Sequence, residues 1–163
     1  MKKKLDWKET LGLITEEYKN AEKVTDESLS VGTILYMTMD ASDGLILKDG
    51  YNTRNKFFII IGFTSEGNAI GSLLINSNID KTKLPLEYLS CQYPIKQENY
   101  IEVLDYNSYI DCSEIFEFTK ERIKINGSVK GHLTSEDLAL IIGFLKETET
   151  LSIKEKRKYS IIS

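Results

Sequence analysis

One histidine, two cysteines and a deficit of basic charge mark the 163-residue chain. The single histidine, His132, excludes acid–base catalysis by a histidine pair within one chain. Cys91 and Cys112 lie far apart and match no zinc-ligand or dithiol spacing, so they are expected as reduced, partly buried thiols. No apolar run approaches the roughly 18 to 20 residues a membrane-spanning helix needs. With 21 basic against 25 acidic side chains the net charge is -4, which excludes nucleic-acid binding by bulk electrostatics. Any RNA site must be a local patch. Met1-Lys-Lys-Lys4 has the charge of a signal-peptide start, but Asp6, Lys8, Glu9, Glu16 and Glu17 stand where the apolar segment would be. A cytoplasmic location with no membrane partner is the expectation.

Hydrophobic content of 41% with 28% charged residues is that of an ordinary globular domain, and the length is enough to bury a core without staples. Three stretches differ in character. Residues 1–30 are a helical extension: Trp7, Leu11, Ile14, Tyr18 and Ala21 form one apolar stripe over Leu5 to Ala21, and the polar segment Glu22 to Ser30 is a connector. Residues 31–149 hold the strands and a late helix. Residues 150–163 are a charge-rich tail expected to fray.

Within the middle stretch, Gly32 to Met39 alternates Leu35, Met37 and Met39 against Ile34, Tyr36 and Thr38, which predicts a strand with something to bury on both faces. Asp40 to Thr53 is a long loop with Asp43-Gly44, Asp49-Gly50 and Asn52 at positions suited to turns. Lys56 to Thr64 and Asn68 to Asn76 flank Ser65-Glu-Gly-Asn68 and predict a hairpin. Tyr88 to Ile95 reads as an edge strand, with Pro94 near its end. Ile101 to Leu104 and Tyr109 to Phe118 add strand-like runs. Thr134-Ser-Glu-Asp137 has the pattern of a capping box, Thr134 as N-cap and Asp137 as its acidic partner, opening a helix with Leu138, Ile141, Ile142 and Leu145 on one face. Short strands with turn punctuation and one late helix predict a mainly β domain, a small bent antiparallel sheet or barrel capped by helices.

The most informative segment is Tyr51-Asn-Thr-Arg-Asn-Lys-Phe-Phe-Ile-Ile-Ile-Gly-Phe63. Six of the seven residues from Phe57 to Phe63 are aromatic or β-branched, so the run predicts a buried strand, and Arg54 and Lys56 mark its entrance at a sheet rim. Hairpin pairing returns Asn76-Ser77-Asn78 beside that entrance. Fixed positive charge with hydroxyl and amide groups at a rim suits a phosphate. The simpler reading of Arg54 and Lys56 is a pair of solvated gatekeepers that discourage edge aggregation.

The order of these features resembles the MazF/PemK-type toxins of bacterial toxin–antitoxin systems over Val31 to Glu147. The resemblance rests on Gly32-Thr-Ile-Leu-Tyr36, on Arg54 before Phe57-Phe-Ile-Ile-Ile61, on Asn76-Ser77, on Tyr109 to Thr119 followed by Lys120-Glu-Arg-Ile123, and on Gly131 to Leu138 leading into the last helix. Asn55 stands where that family's arginine is usually followed by proline, and Ser77 where its second catalytic position is usually threonine. The resemblance implies a small SH3-like barrel with a C-terminal helix, homodimerisation, metal-independent cleavage of single-stranded RNA, and inhibition by an antitoxin protein.

For that chemistry Arg54 is suited to clamp phosphate oxygens, Lys56 to assist as a point charge and Ser77 to donate a hydrogen bond. Asn52, Asp49, Asn76 and Asn78 are the candidate RNA contacts. Asp43 and Asp49 are the candidate bases. Tyr51, Tyr93, Tyr100 and Tyr106 are candidate stacking residues, and His132 reads as a capping or surface residue. Asp43, Asp105 and Asp111 have no metal-ligand spacing, so no metal or other cofactor is assigned. The alternative function is a catalytically silent SH3-like module that binds a protein partner.

Overall fold

The computed structural model describes residues 24–76 and 85–163. The expected N-terminal helix lies outside these residues, as do Ser77 and Asn78. Six strands form one sheet: β1 (Thr33–Asp40), β2 (Thr53–Phe63), β3 (Ala69–Asn76), β4 (Gln92–Ile95), β5 (Ser108–Phe118) and β6 (Gly127–His132). Their spatial order is β4-β5-β3-β2-β1-β6, and every neighbouring pair is antiparallel. The helices are α1 (Leu86–Leu89), α2 (Lys120–Asn126), α3 (Ser135–Glu147) and α4 (Ile153–Lys158). The protein is thus mainly β with peripheral helices. Among the described residues the sheet stays open, with β4 and β6 as edges, so the closure expected of a barrel is not seen.

Period-two alternation sends the sheet's side chains into two cores. Leu35, Met37, Met39, Phe58, Ile60, Leu73 and Phe118 pack on one face with Ile123 of α2 and with Val24 and Leu29. Ile34, Ile59, Ile61, Ile70, Leu74 and Ile110 pack on the other with Ile141 and Leu145 of α3. Burial on both faces explains why β2 is an unbroken apolar run: it is a central strand with helices above and below. The hairpin forms as its sequence predicts, Gly67 taking a φ of 86° and Thr64 N–H donating to Asn68 O at 2.8 Å.

Three segments differ from expectation. Tyr88 to Ile95 is not one strand: Leu86–Leu89 is a helical turn, and only Gln92–Ile95 pairs, at the edge that Pro94 tolerates. Ile101 to Leu104 is a turn, because Val103 and Leu104 N–H both donate to Tyr100 O and the buried pair Tyr100 and Leu104 has helical spacing. The tail does not fray: Ser152 caps α4, Leu151 and Ile161 enter the α3-side core, and Lys156 Nζ donates to Lys146 O at 2.7 Å, satisfying a carbonyl at the end of α3.

Thr134 does cap α3, accepting Asp137 N–H at 3.1 Å. The expected reciprocal bond from Asp137 is replaced by tertiary ones. Its carboxylate accepts the hydroxyls of Tyr93, at 2.8 Å, and Tyr100.

Candidate functional site

β2 enters the sheet from the Asp40 to Thr53 loop, and its first residues project beyond the core. Arg54 is exposed and Lys56 is half-buried. Register places Arg54 opposite Met39 and Lys56 opposite Met37, so both cations stand on the face of the α2-side core. Two residues apart on one strand, they are about 7 Å apart at the backbone. Burial lowers the Lys56 pKa, the Arg54 guanidinium lowers it further, and Asp111 opposes the shift. Among the described residues neither cation forms a salt bridge.

Asn55 belongs to the opposite face. It pairs with Thr38, whose Oγ1 donates to Asn55 Oδ1 at 2.8 Å. Next to it Phe57 packs against Tyr36, ring centroids 4.9 Å apart. Two cavities flank this end of β2, and Arg54 and Asn55 border both. One, about 260 Å³, lies against Lys56 as well, and against Tyr36, Phe57, Leu74, the chain from Val103 to Tyr106, and Ser108. The other, about 420 Å³, lies against Leu47, Lys48, Tyr51 and Thr53.

Of the residues singled out in the sequence, Arg54 and Lys56 share one face of β2. Asn76 ends β3, the neighbour of β2, and is paired with Ser108. Ser77 and Asn78 lie outside the described residues. Asn52 and Asp49 are exposed in the loop and border neither cavity; Tyr51 N–H donates to Lys48 O at 3.1 Å, closing a turn over Asp49 and Gly50. Asp43 is tied elsewhere: its carboxylate accepts two bonds from Arg122, at 3.1 and 2.7 Å, and one from the Asp40 N–H. His132 packs its ring on Gly32, where an added Cβ would fall 2.6 Å from Cε1, and its Nδ1 lies 2.7 Å from Leu133 O. It is an exposed residue at the end of β6, in keeping with the surface reading. Tyr93 and Tyr100 serve Asp137, while Tyr51 and Tyr106 each border a cavity at the rim.

Lys48, Tyr36, Phe57 and Ser108 are site residues that the sequence alone did not point to. Lys48 carries a weak signal, a cation just ahead of the Asp49-Gly50 turn. Ser108 carries none, because only the β3–β5 pairing brings it to the rim.

Among the described residues no group of three or more His, Cys, Asp or Glu could hold a metal ion, and no helix is long and apolar enough to cross a membrane. No protein-family model matches the chain, and no curated protein matches it in sequence.

Proposed function

We propose that the entrance of β2 binds the phosphates of single-stranded RNA, and that the chain is a cytoplasmic, metal-independent endoribonuclease resembling the MazF/PemK toxins, with an antitoxin as its protein partner and a homodimer as its assembly. One observation carries the reading: two cations share one face of the rim at close range, and the pKa of Lys56 is lowered by burial and by Arg54. An anion between them would offset the repulsion between the two cations. Arg54 is suited to bind two oxygens of the scissile phosphate and to stabilise the charge that develops there. Lys56 is suited to assist as a second positive charge beside the same phosphate. Ser77 is proposed to donate a hydrogen bond to the same phosphate.

A second reading, binding without cleavage, is favoured by the engagement of Asp43 with Arg122, which withdraws one candidate base from the rim. One experiment separates the two. Purified protein is incubated with labelled single-stranded RNA in EDTA, alongside Arg54→Ala and Lys56→Met. Cleavage that both substitutions abolish supports the nuclease; RNA retained intact but bound, with binding lost in Arg54→Ala, supports RNA binding without cleavage, and RNA neither cut nor bound leaves the silent module that binds a protein partner. Cleavage or binding indifferent to both substitutions removes the rim from the function.

A further inference from the structure

The 260 Å³ cavity is bordered by both clamp cations, Arg54 and Lys56, and the rest of its wall is of a different kind. Its floor is apolar, from Phe57 and Leu74, and partly exposed aromatic rings from Tyr36 and Tyr106 border it. The size is below that of a typical drug-sized pocket and suits a single planar heterocycle. Polar groups complete the lining. The Asn55 oxygen is occupied by Thr38, which leaves its NH₂ as a donor. Ser108 Oγ donates its proton to Tyr106 O at 3.1 Å, which leaves its lone pairs as acceptors. The Asp105 carboxylate adds another acceptor. Rings with donors and acceptors around one small cavity are what a nucleobase requires: flat surfaces to stack on and hydrogen-bonding groups for its edge.

Position ties this cavity to the clamp. Arg54 and Asn55 border it and also border the second cavity, where Lys48 and Tyr51 stand. The two residues therefore form a ridge with a recess on each side. A single strand crossing the ridge sets a phosphate on Arg54 and turns the adjoining base into a recess.

We infer that the cavity bounded by Tyr36, Asn55, Phe57, Tyr106 and Ser108 is a nucleobase subsite, seating the base that adjoins the phosphate held by Arg54. The inference rests on the reading of the rim as an RNA-phosphate site. Asn55 supplies edge recognition, Tyr106 supplies stacking, and Arg54 holds every nucleotide alike.

The test titrates the full chain with the four ribonucleoside 3′-monophosphates and with ribose 5-phosphate, followed by calorimetry and by amide chemical shifts. Asn55→Ala, Tyr106→Ala and Arg54→Ala are compared after thermal melts establish that each folds. The expected result is at least one nucleotide binding about tenfold more tightly than ribose 5-phosphate, in line with the stacking of one base. Asn55→Ala and Tyr106→Ala should erase that advantage without weakening ribose 5-phosphate, and Arg54→Ala should weaken all ligands together. Equal binding of nucleotides and ribose 5-phosphate, all lost in Arg54→Ala, overturns the subsite and leaves the phosphate clamp standing. A base preference that survives both Asn55→Ala and Tyr106→Ala also overturns the subsite. A preference that depends on Asn55 but ignores Arg54→Ala overturns the clamp instead, and the absence of binding by any ligand overturns both.

Discussion

Arg122 grips both carboxylate oxygens of Asp43, Nη1 to Oδ1 at 3.1 Å and Nη2 to Oδ2 at 2.7 Å, and so ties α2 to the loop that follows β1. The Asp43 side chain is nearly buried at 8% exposure, and the Asp40 N–H also donates to it. A two-pronged, charge-assisted contact of this kind fixes orientation as well as distance. It holds the first turn of the Asp40 to Thr53 loop and, with it, the approach to the rim.

Asp43→Ala leaves the Arg122 guanidinium without its main acceptor in a partly desolvated place. The expected loss of stability is about 2 to 3 kcal/mol, read as a lower urea midpoint at unchanged slope. A loss under about 0.5 kcal/mol would class the pair with ordinary surface ion pairs.

Lys56 should titrate below the ordinary lysine value of 10.5. In the window between its lowered folded value and 10.5 the unfolded chain binds more protons than the folded one, so this group makes stability rise with pH there. Arg54→Gln removes one cause of the shift and should move Lys56 part of the way back up. Carbon-detected NMR titration of the lysine side chains measures both effects, and no movement of Lys56 in Arg54→Gln would separate the two cations electrostatically.

Tyr93 and Tyr100 donate to Asp137, and burial followed by that carboxylate raises both phenol pKa values above 10. Their contribution to stability is fully present below the unfolded value near 10.0 and is lost as pH climbs through the raised folded values. Phenolate absorbance should therefore show two tyrosines that resist ionisation until the protein unfolds. Asp137→Ala should shorten that lag, with burial left to sustain the rest, and cost about 2 to 4 kcal/mol, since two buried hydroxyls lose a charged acceptor.

Leu151 is 5% exposed and lies in the core beneath α3. Leu151→Ala should destabilise by about 2 to 5 kcal/mol. Removal of residues 150–163 also takes away Ile161 and the Lys156 contact to Lys146 O, and should lower the melting temperature further still. An unchanged melting temperature after that truncation would mean that α4 docks without contributing to the fold.

The strands with strong period-two or unbroken apolar runs were legible in the sequence: β1, β2, β3 and β5 fall where the patterns of Ile34 to Met39, Phe57 to Phe63, Ala69 to Ile75 and Tyr109 to Phe118 put them. β6 was not, because Gly127–His132 offers one large apolar side chain, Val129. It exists through backbone pairing with β1. The tail was misread for the opposite reason: its charges dominate the composition, while two apolar residues, Leu151 and Ile161, anchor it. At the candidate site the cations were legible because charge directly against a buried run has few places to go.

What the sequence determined by itself is the mainly β class, the β2–β3 hairpin, the Thr134 cap and the exposed start of β2, since each depends on residues close together in the chain. Tertiary structure alone decided that the sheet stays open among the described residues, that Arg122 takes Asp43, that two tyrosines take Asp137, and that Ser108 stands near Asn55. These contacts join residues tens of positions apart through strand register and helix docking, and local periodicity holds no record of which distant partner a side chain will meet.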